Sequence, residues 1–439
     1  MPLHIGTLEL TSKYRYGITS HGTPIYLFRP YDMELPEFVV GCSTRDLTYN
    51  QIALVDTGES KETVPNQRPR ANLIRLLGRV GDFESERKAL LLHYGSSSAF
   101  KKIKTVDAAD ASMDGHRIEL SSATGWYTYH VDPPGCRDID DAIAFHPETG
   151  ETAITIADAA AAVKVDSDVD RAAKAIGATF YSLEGKVEIP MLPSSISEES
   201  ASLTPGHRRR GVSLIIDSEG RETFLLSWIT VEHSYTYESL EDSHAMIEEL
   251  MIRYNAAVAR QLKTAGAGLL RVQGPADATK VATWSLIDKS LANEAATYVD
   301  ITPSMTESTR HTTLDLDAYC HASSPLRRYA DLVNQRILKQ VIAGVEAEGS
   351  AVAAHLNERT KANRRWARDL TFLTHVTPGK VHQISVVWLS NELLWVPDWK
   401  RIIRARHERK GETLYDRIAI FCDPTQRSWK TRILTASIA

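Results

Sequence analysis

Between Val131 and Asp141 the chain carries four aspartates, Asp132, Asp138, Asp140 and Asp141, arranged around a Pro133-Pro134-Gly135 bend. Val131, Ile139, Ala142, Ile143 and Phe145 flank them, and apolar flanks draw a segment toward an interior where unpaired charge is expensive. Carboxylates this close also repel one another and resist ionising together. The fold must therefore bring a divalent cation or an arginine to this segment. Hard oxygen donors select Mg²⁺, with Mn²⁺ as the alternative, over zinc. A pair of such ions activates water and stabilises both oxygens of a phosphodiester under attack. An EF-hand loop does not fit, because the segment lacks the glycine at the turn and the glutamate at the twelfth position. A solvated acidic turn is the other reading of the same residues.

Downstream, HASSPLRRYADLVNQRILKQVIAG reads as a helix with Ser324 as N-cap and Pro325 at its first position. Tyr329, Ala330, Val333, Ile337, Leu338, Val341 and Ile342 form its apolar face. Arg327 and Arg328 would then occupy the first turn, where the helix dipole costs a cation about 0.3–1 kcal/mol. A phosphate, or the acidic segment itself, would satisfy both the free N–H groups and the guanidinium forks. Solvent or a neighbouring acid such as Asp331 is the alternative partner.

At 439 residues the chain exceeds what one core ordinarily holds, so two or three domains are expected. With 43% hydrophobic and 24% charged residues it has the composition of a globular protein that folds in water. The formal charge of −5 argues against coating nucleic acid by bulk charge, so a polyanion must be gripped locally. No apolar run is long enough to span a membrane and the N-terminus carries no secretory pattern, so an intracellular, cytoplasmic protein is expected. Cys42, Cys136, Cys320 and Cys422 are scattered, which suits a reducing compartment and no zinc site.

Short β segments at Gly6–Leu10, Tyr14–Ile18, Ile25–Phe28, Phe38–Cys42 and Gln51–Val55 suggest a small closed barrel. Glu84–Tyr94 is too short for periodicity to decide between strand and helix. After a linker rich in small residues, a central unit mixes strands (Ala153–Ala157, Val212–Ile216, Thr223–Trp228) with an amphipathic helix around Met246–Leu262, capped by Asp242 or Ser243 and stopped by Gly266. Strands return at Ile384–Trp388, Leu393–Val396, Arg417–Phe421 and Ile433–Ser437. Phe180, Tyr181, Tyr235 and Tyr237 are candidate surfaces for bases, each equally suited to a core. Glu249 could pair with Arg253 one turn on. Near the C-terminus Lys400, Arg401, Arg404, Arg406, Arg409 and Lys410 could follow a phosphate backbone, with Trp399 stacking beside them, or could be a solvated face next to core.

HVDPPGCRDIDDAI, ITIADAAAAVKVDSDVDRAAKAIGATFY, EIPMLP, IEELMIRYNAAVA and HASSPLRRYADLVNQR follow one another from His130 to Arg336. In this order they resemble the catalytic domain of the ribonuclease II (RNB) family. VPNQRPRANLIRLLGRVGDFESERKALLL is similar to the end of the second cold-shock barrel in the eukaryotic, exosome-subunit-like branch, and residues 379–439 resemble the closing OB barrel. The resemblance implies an α+β chain in which a central mixed α/β RNB catalytic domain is flanked at both ends by small OB-fold β-barrels. The expected boundaries are 1–95 for a cold-shock/OB-like RNA-binding barrel, 96–117 for a linker, 118–378 for the RNB domain and 379–439 for the second barrel. No room is left for a PIN domain.

The implied activity is processive 3′ to 5′ hydrolysis of single-stranded RNA to nucleoside 5′-monophosphates by a Mg²⁺-dependent two-metal mechanism, and a catalytically inactive RNA-binding scaffold of the same fold is the alternative. By position, Asp132, Asp138, Asp140 and Asp141 match the metal-binding and catalytic aspartates, Asp140 being most directly tied to chemistry. Tyr181 matches a tyrosine stacking near the RNA 3′ end, Tyr237 and Glu249 match residues clamping the terminal nucleotides, and Arg327 matches the arginine at the scissile phosphate, with Arg328 sharing its role. Trp399, Arg401 and Arg404 are the expected RNA contacts of the closing barrel. Gln335 stands where the family usually has histidine. RNA-decay proteins are the expected partners, and a monomer is the expected state.

Overall fold

The computed structural model describes residues 3–32, 34–58, 68–95, 103, 106–238, 242–285, 287–288, 291–302, 308–349, 351–376, 380–390, 393–404, 415–422 and 433–438, with side chains withheld at 404, 419–422 and 433–438. Two compact units divide the chain: residues 1–96, 181–186 and 362–439 form one, and residues 97–180 and 187–361 the other. Among the described residues no helix is long and apolar enough to cross a membrane.

In the first unit, five strands close into a barrel in the order Leu3–Leu8, Ile25–Pro30, Phe38–Gly41, Arg70–Arg79, Gln51–Asp56, the last pairing back onto the first. Leu8, Phe28, Val40, Ala53 and Val55 fill it. Four of these strands lie where alternation places them. The expected strand Tyr14–Ile18 does not form; only an isolated bridge from Ile18 to Pro24 is present. Arg70–Arg79 takes the fifth place, and its charged, mostly outward side chains hide the apolar alternation that would have announced it. Gly78 is required there, since a Cβ at that position would fall 2.1 Å from Ser85 Oγ. The ambiguous segment after it is a helix, Phe83–Tyr94, whose start is fixed by the Asp82 carboxylate accepting the Ser85 N–H at 3.0 Å. The C-terminal strands form an antiparallel five-stranded sheet in the order Arg401–Arg404, Leu393–Val396, Val381–Trp388, Tyr415–Cys422, Ile433–Ile438.

The second unit is built on a seven-stranded sheet in the order His233–Tyr235, Tyr127–Val131, Asp141–Phe145, Thr152–Ala157, Arg208–Ile216, Glu222–Thr230, Ile118–Leu120. The helix Ser243–Ala265 packs on one face of it: Tyr254 is fully buried, its hydroxyl donates to the Val212 carbonyl at 3.3 Å, and its ring meets Phe224 edge-on at 5.5 Å. Asp242 precedes that helix in a left-handed conformation without a capping hydrogen bond, while Gly266, also left-handed, stops it. A second hairpin pairs Leu269–Val272 with Thr297–Asp300, and the helix Tyr329–Ile342 is buried along most of its first three turns.

Candidate active site

The acidic loop joins two neighbouring antiparallel strands, Tyr127–Val131 and Asp141–Phe145, so the fold brings its first and last aspartates back together. The Asp132 N–H donates to the Tyr235 carbonyl at 3.1 Å, and the Ala157 N–H donates to the Asp140 carbonyl at 2.8 Å. Ser202 Oγ accepts the Ile139 N–H at 3.0 Å and donates to the Arg137 carbonyl at 2.7 Å. Gly135 makes the bend at φ +80°, a conformation glycine adopts without strain.

Arg327 and Arg328 approach from a turn rather than from a helix. The helix begins at Tyr329, and the N–H groups of Arg327 and Arg328 return to the Ser324 carbonyl at 3.3 and 3.0 Å. Arg328 is extended, at φ −135° and ψ 124°, because it bridges to Ala178, a pairing a helical residue cannot make. The expected N-cap at Ser324, and the dipole argument built on it, are thereby corrected. What brings the arginine to the acids is direct contact: Asp140 Oδ2 accepts Arg327 Nε at 2.9 Å while Oδ1 accepts the Leu326 N–H at 2.9 Å. Arg327 also donates to Ser324 Oγ at 3.1 Å, and its side chain remains 44% exposed. Arg328 turns away to Asp331 at 2.8 Å, whose Oδ1 also holds the Ser324 N–H at 2.8 Å.

Asp140 is 3% exposed, and burial pushes its carboxyl up to about 7 even though Arg327 and the Leu326 N–H pull the other way. Asp141 goes up to about 8, first from burial and then from Asp132 and Asp140. Asp132 bonds the ring of buried His130, Nδ1 to Oδ2 at 2.9 Å, and Cys136 Sγ leans on Asp138 at 3.5 Å. Among the described residues no three His, Cys, Asp or Glu side chains are gathered as a metal cluster. Asp140 is turned to Arg327, and Asp132 and Asp138 to their own near neighbours. The donor chemistry still fits a hard divalent ion, because Asp141, partly exposed and beside the carboxylates of Asp132 and Asp140, has too little positive charge near it.

Tyr237 stacks on His244 at 3.8 Å and 8°, and after burial its hydroxyl is pushed up by Asp132 and Asp141, which places it beside the loop. Glu249 is exposed on the second turn of its helix. Arg253, its expected partner, goes to Glu222 at 2.8 Å instead. Tyr181 belongs to the other unit, where its carbonyl accepts Trp366 Nε1 at 2.9 Å. Trp399 is 2% exposed and packs edge-on against Phe372 at 5.0 Å, so it is core and not a stacking surface. The Arg401 guanidinium lies over Phe372 and 3.5 Å from buried Asp369, which corrects its assignment to a phosphate track. The Arg404 side chain, like residues 405–410, lies outside the described residues.

Three further residues serve the loop. His130 steadies Asp132 and stands two positions before it, a same-side spacing in a strand that could have flagged it. Asp331 fixes the turn behind Arg327. Gln335, the departure from the usual histidine, accepts the Ala160 N–H at 3.0 Å and donates to the Ala157 carbonyl at 2.8 Å, fastening the residue whose N–H holds Asp140.

The RNB domain family model matches residues 118–243 and 239–344, together just over half of the chain. Exoribonuclease 2 of Xenorhabdus bovienii is 23% identical over 372 residues, covering 60% of this chain, and the chain spans only 57% of that relative's length. Yeast Ssd1, described as a pseudonuclease, superposes with a TM-score of 0.70 at 18% identity over 96% of this chain and 66% of its own. Mycoplasma genitalium RNase R, solved in complex with ribose-methylated single-stranded RNA, superposes with a TM-score of 0.69 at 16% identity, covering 99% and 89%. At these identities the likeness to the two structures is one of fold.

Proposed function

Because this chain belongs to the RNB domain family, we propose that it is a 3′ to 5′ exoribonuclease that hydrolyses single-stranded RNA to nucleoside 5′-monophosphates, processively and with Mg²⁺. The observation that carries the reading is the contact of buried Asp140 with half-exposed Arg327, next to an under-neutralised Asp141. Asp132 and Asp141 would hold the cations, which when bound supply Lewis-acid stabilisation and an activated water. Asp140 aims Arg327, whose guanidinium is accessible to a phosphate and suited to charge developing on it. Tyr237, beside the loop, and Glu249, exposed on its helix, would clamp the terminal nucleotides. The reading carries with it a cytoplasmic monomer working with other RNA-decay proteins.

A second reading, an inactive RNA-binding scaffold, is supported by the fold of Ssd1 and by aspartates not gathered as a cluster. The two separate on one experiment. Labelled single-stranded RNA and matched DNA are incubated with the chain, with and without EDTA. Mononucleotides released from RNA alone, and lost with chelator, support the enzyme. Asp140→Asn should bind RNA and fall about a hundred- to a thousandfold in rate, the scale of losing a preorganised transition-state donor. Cleavage by Asp140→Asn at the wild-type rate sinks the assignment, and intact RNA under every condition leaves the scaffold.

A further inference from the structure

The acidic loop sits at one end of a strip of aromatic rings that the proposed chemistry does not use. Asp141, Ile143 and Phe145 alternate onto one face of their strand; Tyr127 and Tyr129 lie directly opposite Phe145 and Ile143 on the next, and His233 and Tyr235 lie opposite Tyr129 and Val131 on the edge strand. All of these positions therefore share the face that carries Asp141. The rings form a connected cluster. Tyr127 stacks on His233 at 4.4 Å and 18°, Tyr129 meets Tyr235 edge-on at 5.9 Å, and the Tyr127 and Tyr235 hydroxyls are 2.6 Å apart. The strip reaches the loop through Tyr235, whose carbonyl receives the Asp132 N–H, and through Tyr237 two residues on.

We propose that this strip is a stacking track for single-stranded RNA, holding bases upstream of the phosphate presented at the acidic loop. Phe145 and Tyr127, opposite one another, are 42% and 40% exposed, which leaves paired ring surface open to a flat partner. The accessible part presents rings with polar rims, the hydroxyls of Tyr127 and Tyr235 and the imidazole of His233, while the aliphatic Ile143 and Val131 of the same face are buried and the Asp141 carboxylate lies at the loop end. Such faces accept any base, which suits a track. Four strand residues separate Tyr127 from Val131, so the exposed end stands about 13 Å from the loop, and nucleotides beyond the terminal ones reach it. The track rests on the proposed function in one respect, that the loop receives the RNA end.

The test is fluorescence anisotropy with labelled oligouridylates of increasing length, in EDTA so that nothing is cleaved, on the full chain. Wild-type affinity should rise with length until the track is filled. In Tyr127→Ser/Phe145→Ser that rise should stop short, leaving affinity roughly tenfold weaker for the longer oligomers, the scale of losing one stacked base. Tyr127→Trp/Phe145→Trp should restore it. Equal affinity of the serine variant and wild type at every length overturns the track, as does a loss of the same size from the dinucleotide upward, which reports a disturbed fold. Cleavage is scored separately with Mg²⁺. A chain that releases mononucleotides but binds equally well in the serine variant loses only the track, and one that never cleaves yet shows the length-dependent loss keeps the track and loses the enzyme.

Discussion

Two groups of aspartates stand on the same sheet and are treated in opposite ways. Asp158, 2% exposed at the end of the Thr152–Ala157 strand, accepts from Arg117, from Lys339 Nζ at 2.8 Å and from the Ala161 N–H at 3.0 Å. Asp114 binds Arg210, whose hydrogen bond does most to hold its carboxyl below the ordinary value, and Arg117 as well. Two carboxylates there meet three cations. In the acidic loop four carboxylates meet Arg327, with Arg328 committed to Asp331, and neither the burial of Asp140 nor the crowding of Asp141 by Asp132 and Asp140 is offset. Buried charge that is fully paired frames the fold, whereas buried charge left short of its partner marks where a ligand completes the structure.

The largest expected effect tests the frame. Asp158→Asn leaves Lys339, nearly buried, without its carboxylate and the fully buried Arg117 side chain with Asp114 alone. It should destabilise the chain by about 3–5 kcal/mol, read as a lowered urea midpoint. An unchanged midpoint would show that the paired group carries no more weight than the unpaired one. Next is the missing partner itself. Mg²⁺ at about a hundred times its Kd should stabilise the wild type by about 2.7 kcal/mol, visible as a raised Tm. That rise should vanish in Asp132→Asn/Asp141→Asn and survive in Asp114→Asn. A rise that persists in the double variant would place the cation elsewhere.

The loop was legible in sequence because repulsion among clustered carboxylates is a local property, present before any fold. Its partner was legible only as a residue type. Nothing local says that Arg328 is drawn out of a helix by Ala178, across a span of sequence that periodicity does not cover. The terminal strands show the same limit. Leu393–Val396 forms as expected because its apolar run is unbroken, while Arg401–Arg404, whose arginines read as a solvated face, is a paired strand. Trp399 gave no sign of which side it faces, since a tryptophan beside basic residues serves a core and a binding surface alike. The aromatic strip was half visible: the alternation of Tyr235 and Tyr237 put them on one side, but Tyr127 and Phe145 join them only through the pairing of strands distant in sequence.

The smallest effect separates the two groups by sign. Asp141→Asn, in EDTA, should raise the urea midpoint of the chain at pH 8.5, because the native carboxyl is held up near 8 against an ordinary value near 4. Below pH 4 the group is protonated in both states and the substitution changes little. Between 4 and 8 the unfolded chain releases a proton that the folded chain keeps, so wild-type stability falls with rising pH and the gain from the variant grows. Above 8 the penalty is complete. Asp114 behaves in reverse: its lowered native value means that the stability it contributes is present above pH 4 and is lost as the pH falls through the native value. Urea midpoints of Asp141→Asn and Asp114→Asn relative to wild type, followed from pH 3 to 9, should therefore move apart as the solution becomes alkaline. Two curves of the same slope would mean that the acidic loop is as well paired as the frame, and that its aspartates need no cation.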